Sequence, residues 1–133
     1  MSSSFKRRLV HLHACKGVTY RLLKRVLQLD PTLKQLYAHS ASQLAKQLDL
    51  QPANARALWH DLHNCQLKQI MTTYTRRGIV PLTVADAAYP YLLKQIFDPP
   101  PVLYAKGKLS LLAEPCLAVV GTRKPTVIGK KKY

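Results

Sequence analysis

The residues whose types could do chemistry lie near the end of the chain, in the stretch VVGTRKPTVIG at positions 119–129. A short apolar run meets a glycine, a small hydroxyl residue, an arginine and a second glycine. Many phosphate-binding loops open in this way, where a buried strand gives way to a helix at the carboxyl edge of a sheet. Arginine supplies a bidentate phosphate contact and threonine a hydroxyl donor. The alternative is a strand-end turn with a solvated arginine.

A second stretch with suitable residues is CKGVTYRLL at positions 15–23. It resembles the hairpin of a helix-hairpin-helix unit, in which a glycine-containing turn and the next helix N-terminus face a phosphate. Thr19 stands where that pattern has its second glycine, and it is a good N-cap but a bulkier residue. The alternative is a plain helix–turn–helix connection with a solvated basic face. The hairpin residues expected to contact DNA are Lys16, Gly17, Arg21, Lys24 and Arg25.

The charge of the chain is strongly positive, with 21 Lys and Arg against 6 acids and a net charge of +15. Basic residues outnumber acids 13 to 3 in residues 1–80 and 8 to 3 in residues 81–133. Such a balance favours polyanions, with nucleic acid the first candidate and an anionic membrane surface the second. No segment has the length and apolarity of a membrane span, so we expect no membrane insertion. The first residues resemble mature protein, which predicts a cytoplasmic location.

Residues for catalysis or metal binding are scarce. No two acids lie within ten residues of each other, and neither a nucleophile elbow nor a Walker loop is present. Cys15, Cys65 and Cys116 are about fifty residues apart without a C-x-x-C pair, which indicates reduced thiols. We interpret the five histidines as ordinary surface or boundary residues and Trp59 as a core residue. The sequence therefore predicts no catalytic residue, no metal and no cofactor.

The first two-thirds of the chain has the apolar periodicity of short helices. Asp30 and Pro31 predict the start of one helix, with the aspartate as N-cap. The S-x-x-Q pattern at 40–43 predicts a capping box at the start of another. A longer helix is expected to begin at Pro52, to run into the mid-70s and to stop before Gly78.

From residue 79 the pattern changes, and the stretch 78–107 holds five of the nine prolines. IVPLTV predicts an edge strand because Pro81 interrupts it. A short helix is expected after Pro90, and PVLYAKG predicts a strand that ends at Gly107. CLAVVG is apolar throughout and predicts a buried strand closed by Gly121, of the kind found in parallel sheets.

Three stretches, taken together and in order, resemble the N-terminal part of the DprA/Smf family, the bacterial DNA-processing proteins of natural transformation. The first is the helical part, with GVTYRLLKRVL and SASQLAKQLDL. The second, DAAYPYLLKQIFDPPPVLYAKG at 86–107, is similar to D-x-x-Y-P-x-x-L followed by D-x-P and a strand ending in K-G. The third, AVVGTRKPTVIG, is similar to G-[ST]-R-x-x-[ST]-x-Y-G. The resemblance runs from about residue 8 to 129, and its middle stretch is the most specific.

The resemblance implies a mainly α fold in three parts. A SAM-like or helix-hairpin-helix module would occupy residues 1–78, and a proline-rich extension with a short helix and a strand residues 79–116. Residues 117–133 would be the first strand and phosphate loop of a truncated, extended Rossmann-like α/β domain. The chain is thus expected to stop as that domain begins, which suggests an early stop or frameshift in a longer gene.

The function that the resemblance implies is single-stranded DNA binding, protection and delivery to a RecA-type recombinase, by a homodimer that is not an enzyme. Arg123 would be the main DNA contact, while Ile128 replaces the usual tyrosine. We expect these activities to be impaired by the truncation. The alternatives are a nucleotide-binding Rossmann-type enzyme acting on phosphoribosyl bonds, and a fragment without function. The phosphate-loop residues carried over are Gly121, Thr122, Arg123, Thr126 and Gly129, with Lys124 beside them.

Overall fold

The computed structural model describes residues 3–124, 126 and 127. This part of the chain is mainly helical, as predicted. Two 3-10 helices, Leu36–Ala38 and Leu109–Ala113, accompany the α-helices and strands. In chain order the α-helices and strands are α1 (Ser3–Ala14), α2 (Tyr20–Leu29), α3 (Ala41–Leu48), α4 (Pro52–Asn64), α5 (Leu67–Arg76), β1 (Ile79–Thr83), α6 (Tyr91–Lys94) and β2 (Val102–Lys106).

The hydrophobic core lies among the first four helices. In α1, Phe5, Leu9 and Leu12 fall at i, i+4 and i+7 and so share one face, and the two leucines are completely buried. The same cluster takes in Val102 from β2, so the extension after the helices also contributes to the core. The other core residues are Cys15, Leu23, Val26, Leu33, Leu36, Leu44, Leu48, Ala55, Leu58 and Leu62.

The start of α3 is capped as its sequence predicts. Ser40 Oγ accepts a hydrogen bond from Gln43 N at 3.3 Å, and the Gln43 side chain accepts one from Ser40 N at 2.8 Å. These bonds satisfy two N–H groups that a helix start leaves without partners. The apolar face behind the cap buries Leu44 and Leu48.

The helix predicted to start at Pro31 does not form. The Asp30 carboxylate accepts hydrogen bonds from Leu36 N at 2.9 Å and from Thr32 Oγ1 at 3.2 Å, so it closes a loop instead of capping a helix. Leu33 has a φ of 57°, which no α-helix allows. Only the 3-10 turn Leu36–Ala38 follows, yet the apolar side chains of this segment still enter the core.

The long helix predicted from Pro52 is in fact two helices, α4 and α5. Cys65 and Gln66 are extended, with ψ values of 116° and 117°. The Cys65 carbonyl oxygen lies 2.6 Å from His11 Nε2, and since a carbonyl only accepts, the imidazole is the donor. This bond holds the carbonyl outside the helical ladder. The predicted stop before Gly78 is confirmed, because α5 ends at Arg76.

The proline-rich extension forms the predicted strands and short helix. β1 and β2 pair antiparallel, with Ile79 opposite Lys106 and Thr83 opposite Val102. The Tyr104 hydroxyl of β2 lies 2.6 Å from Nδ1 of His13 in α1. Its ring lies 5.2 Å from that of Tyr74 in α5. The sheet is therefore fixed to two helices of the first part of the chain.

The prediction of a strand at CLAVVG is wrong, because none forms there. Residues 115–122 have no strand structure, and Leu117, Val119 and Val120 are 91%, 70% and 85% exposed. A strand needs a neighbour for its backbone groups. In the described part of the chain, β1 and β2 pair with each other and no third strand joins them.

Two side-chain predictions also need correction. Trp59 is 38% exposed and stacks on His63, with ring centroids 4.4 Å apart, so it is not a core residue. His11 is buried and bonded on both ring nitrogens, to Cys65 and to the Tyr37 hydroxyl, so it is not a surface histidine. As for the membrane, none of the helices in the described residues is long and apolar enough to cross one.

Candidate nucleic-acid interface

Where the sequence predicts the hairpin of a helix-hairpin-helix unit, the chain makes a tight turn between α1 and α2. Gly17 has a φ of 77°, in the left-handed region that favours glycine. A Cβ built there would meet nothing within 4 Å, so conformation and not space requires the glycine. Lys16 and Gly17 are exposed at the tip of the turn. The turn therefore presents backbone and one cation to solvent, as a phosphate contact would need.

Thr19 explains why this hairpin departs from the two-glycine pattern. Its backbone is extended, with φ −80° and ψ 162°, which any residue adopts. Its hydroxyl accepts a hydrogen bond from Leu22 N at 3.2 Å and so caps α2. One N–H group of the first helical turn is thereby occupied and no longer offered to a ligand. The start of α2 therefore offers its side chains to a ligand more than its backbone amides.

The basic side chains of α2 divide into two groups. Arg21 and Arg25 are exposed. Lys24 is paired within the molecule, with its Nζ 2.6 Å from Asp98 Oδ1. Hydrogen bonds from Lys24 and Tyr20 lower the pKa of Asp98, and the bond to Asp98 raises the pKa of Lys24, as expected for an ion pair. Because its charge is offset, Lys24 is a weaker candidate for DNA contact than the two arginines.

The predicted phosphate loop is described over Gly121–Lys124 and at Thr126, while Gly129 lies outside the described residues. All the described loop residues are exposed. Thr122 Oγ1 accepts a hydrogen bond from Lys124 N at 3.3 Å, which closes a local turn around Arg123. Gly121 has open space around it, with nothing within 4 Å of a Cβ built there. The loop thus presents two adjacent cations to solvent on an exposed segment.

Asp86 opens the most specific stretch of the resemblance, and its role in the structure is one that sequence reasoning missed. Its carboxylate accepts hydrogen bonds from Thr83 N at 2.6 Å, Thr83 Oγ1 at 3.0 Å and Lys6 Nζ at 2.8 Å. Burial alone would raise the pKa of Asp86, but these donors outweigh it and the pKa is lowered. Asp86 therefore ties the end of β1 to α1.

Tyr89 and Asp98, from the same stretch, have similar structural roles. Tyr89 is 4% exposed, and its hydroxyl donates to the Pro100 carbonyl at 2.7 Å. Asp98 holds Lys24 of α2. The two aspartates of D-x-x-Y and D-x-P therefore attach the proline-rich extension to the helices, and the tyrosine joins two parts of the extension. A signal was available in the sequence, since two of only six acids stand in this one short stretch.

The described residues offer little for catalysis. Among them, no group of three or more His, Cys, Asp or Glu side chains lies close enough to hold a metal ion. Burial is the main reason that the pKa of Cys15 rises to about 12, so its sulfur is a protonated thiol at neutral pH. The exposed cations of the hairpin and the loop remain the candidate binding residues.

Comparison with known proteins agrees with the resemblance. Residues 81–133 match the family described as DNA recombination-mediator protein A. The matched part of this chain is therefore similar to that family. The chain is 40% identical over 67 residues to "DNA processing protein DprA" of Bacillus subtilis (strain 168). It is 43% identical over 49 residues to the protein of the same name from Streptococcus pneumoniae (strain ATCC BAA-255 / R6).

These matches cover only parts of the proteins compared. The first takes in 50% of this chain and 23% of the Bacillus protein, and the second 37% of this chain and 17% of the Streptococcus protein. The chain thus spans about a quarter or less of the length of these relatives. No solved structure matches the chain.

Proposed function

We propose that this chain binds single-stranded DNA and acts in DNA processing during bacterial natural transformation. The observation that carries the proposal is the match of residues 81–133 to a family of DNA recombination mediators. The net charge of +15 supports it, because such a charge favours polyanions. The function proposed is binding and not catalysis, in a cytoplasmic protein without a cofactor.

Two exposed groups of cations would make the contacts. On the hairpin these are Lys16, Arg21 and Arg25, and on the loop Arg123 and Lys124. Arg123 would grip a phosphate through two parallel N–H groups, which a lysine cannot do. With α2 capped by its own threonine, side chains supply most of the attraction. Gly17 and Gly121 would let the backbone approach the strand closely, and the hydroxyls of Thr122 and Thr126 would donate to phosphate oxygens. Gly129 remains part of the proposed loop.

Protein partners belong to the proposal as well. We propose that the chain pairs with a second copy of itself and cooperates with a RecA-type recombinase, as the family resemblance implies. The exposed apolar residues Leu117, Val119 and Val120 support association, since such surfaces are usually covered by a partner. Light scattering over a concentration series tests the dimer, and a mass that stays monomeric throughout would contradict it.

The test of DNA binding is a fluorescence anisotropy titration of labelled oligothymidylate with the purified chain, beside a duplex of the same length. We expect preference for the single strand and weaker binding by the Arg123→Ala variant. Arg56→Ala is the matched control, because Arg56 is also exposed but lies on α4 and belongs to neither cation group.

Three outcomes would contradict the proposal. Equal affinity for both DNAs would remove the strand preference. Equal losses of affinity in the Arg123→Ala and Arg56→Ala variants would show that binding depends on general charge and not on the loop. Displacement of the DNA by a free mononucleotide at low concentration would favour a nucleotide-binding site instead.

A further inference from the structure

A groove of about 580 Å³ lies between α1 and α5, away from the hairpin and the loop. Its apolar lining comes from Val10 of α1, Leu67 and Met71 of α5, and Pro81 of β1. Four cations line it as well: Lys6 and Arg7 on α1, and Lys68 and Arg76 on α5. The groove thus combines an apolar surface with positive charge on both of its helical walls.

The helix that forms one wall is unusual because none of its residues is buried. Met71 is 36% exposed. An amphipathic helix of a folded protein normally covers its apolar face against a core. In α5, Ile70 and Tyr74 are half-buried, while Leu67 and Met71 lie along an open groove. Methionine suits such a surface, because its flexible thioether adapts to different partners.

The threonine hydroxyls that line the groove are used within α5, so the cations are the main groups that could recognise a ligand. The Thr72 hydroxyl donates to Lys68 O at 2.8 Å and the Thr75 hydroxyl to Met71 O at 2.9 Å, so both hydrogens are used within α5. Lys6 is paired with Asp86 at 2.8 Å, which fixes α1 to the end of β1. That ion pair holds one wall in place and so preforms the groove.

We propose that this groove binds an acidic amphipathic helix of a partner protein. The partner's apolar stripe would lie on the Val10, Leu67 and Met71 surface, and its carboxylates would face Arg7, Lys68 and Arg76. The ten residues of α5 are about 15 Å long, enough to contact roughly three turns of a helix. The described residues that line the groove include no aromatic side chain, and its apolar surface is aliphatic, as the leucine stripe of a helix would need.

The test uses a fluorescent peptide of about 18 residues, long enough to form an isolated helix. Its leucines repeat at i, i+3, i+4 and i+7, and its other face carries glutamates. We expect the chain to bind this peptide and to bind its lysine counterpart at least about tenfold more weakly, a difference of roughly 1.4 kcal/mol. Met71→Glu should weaken binding of the acidic peptide by about tenfold or more, because it places a like charge on the apolar surface.

Thr73→Glu is the matched control, since it makes the same charge change at an exposed position of α5 outside the groove lining. Circular dichroism confirms that both variants remain folded. Equal binding by the two variants, no preference for the acidic peptide, or no peptide binding would each overturn the proposal. Displacement of the peptide by oligothymidylate, together with weaker oligothymidylate binding by Met71→Glu alone, would show a nucleic-acid groove instead and overturn it too.

Discussion

At the scale of single residues, His11 is a buried histidine with a hydrogen-bond partner on each ring nitrogen. One ring nitrogen lies 2.6 Å from the Cys65 carbonyl and the other 2.7 Å from the Tyr37 hydroxyl. The imidazole therefore joins α1 to the break between α4 and α5 and to the 3-10 turn. Buried polar groups remain stable only when they have such partners. We expect the break between the two helices to depend on the bond from His11 to the Cys65 carbonyl.

We predict that His11→Leu destabilises the fold by roughly 1–3 kcal/mol, the usual cost of a buried polar group left without a partner. The orphaned group is the Cys65 carbonyl, because the Tyr37 hydroxyl can turn to the Arg8 carbonyl at 3.3 Å. Urea unfolding followed by circular dichroism measures the change. His60→Leu is the control, since the His60 side chain is 69% exposed, and a similar loss there would contradict the role of His11.

At the scale of elements, the β1–β2 unit is attached to the helices by a few polar contacts. Asp86 binds Lys6 of α1 and Thr83 of β1, and Thr83 is completely buried. His13 of α1 binds Tyr104 of β2. Since two strands alone are only marginally stable in water, these contacts decide whether the sheet forms.

Asp86→Ala is expected to destabilise the protein by roughly 2–3 kcal/mol, because it leaves Thr83 N and Oγ1 buried without their acceptor. The lowered pKa of Asp86 gives the pH dependence. Its stabilisation is present above the ordinary value of 3.8 and is lost as the pH falls through the folded-state pKa. Unfolding free energies of the variant and of Glu114→Ala, an exposed acid, test this. Equal losses in both would contradict it.

The contact between α1 and β2 should also respond to pH. Burial lowers the pKa of His13 below 6.5, so the folded state favours the neutral ring. The unfolded chain then binds the proton more readily, and stability present above about pH 6.5 is lost as the pH falls through the folded-state pKa. Unfolding free energies between pH 7.5 and about 5 should fall less steeply in His13→Gln. If the unfolding free energy of His13→Gln falls as steeply with pH as that of the native chain, groups other than His13 cause the pH dependence.

What the sequence could predict follows from the range of each interaction. The capping box at Ser40 and Gln43 and the proline-bounded strands depend on neighbours a few residues away, and those predictions are confirmed. The break after α4 depends on a histidine 54 residues earlier, and the pairing of Lys24 on an aspartate 74 residues later. The strand expected at CLAVVG depends on partner strands. None of these long-range contacts leaves a local pattern.

The candidate interface shows the same division. The turn at Gly17 and the cap at Thr19 could be predicted, because the residues themselves set that geometry. The placement of the Arg123 loop could not be predicted, since the exposed loop lies outside the packed core. Which cations are available for DNA became clear only from the ion pairs.

At the scale of the whole molecule, the net charge of +15 would drive the proposed binding to DNA. Three cations of the hairpin and two of the loop are exposed and proposed to contact phosphates. Each phosphate contact on a single strand releases counterions and contributes about −0.7 to the slope of log K against log salt. Five contacts predict a slope of about −3 to −4.

A salt series of the anisotropy titration measures this slope. It should become less steep in the Arg21→Ala/Arg25→Ala double variant, by roughly 1 to 1.5. It should stay unchanged in Lys46→Ala, an exposed lysine on α3. An unchanged slope in the double variant would show that the hairpin does not contact the DNA.

The most direct test of DNA binding through the hairpin and the loop is an NMR titration of the isotopically labelled chain with oligothymidylate, which shows where the single strand binds. We predict that amide shifts concentrate at residues 16–25 and 121–124 and that α5 is unaffected. Shifts spread evenly over every basic surface, or confined to α5, would contradict single-stranded DNA binding through the hairpin and the loop.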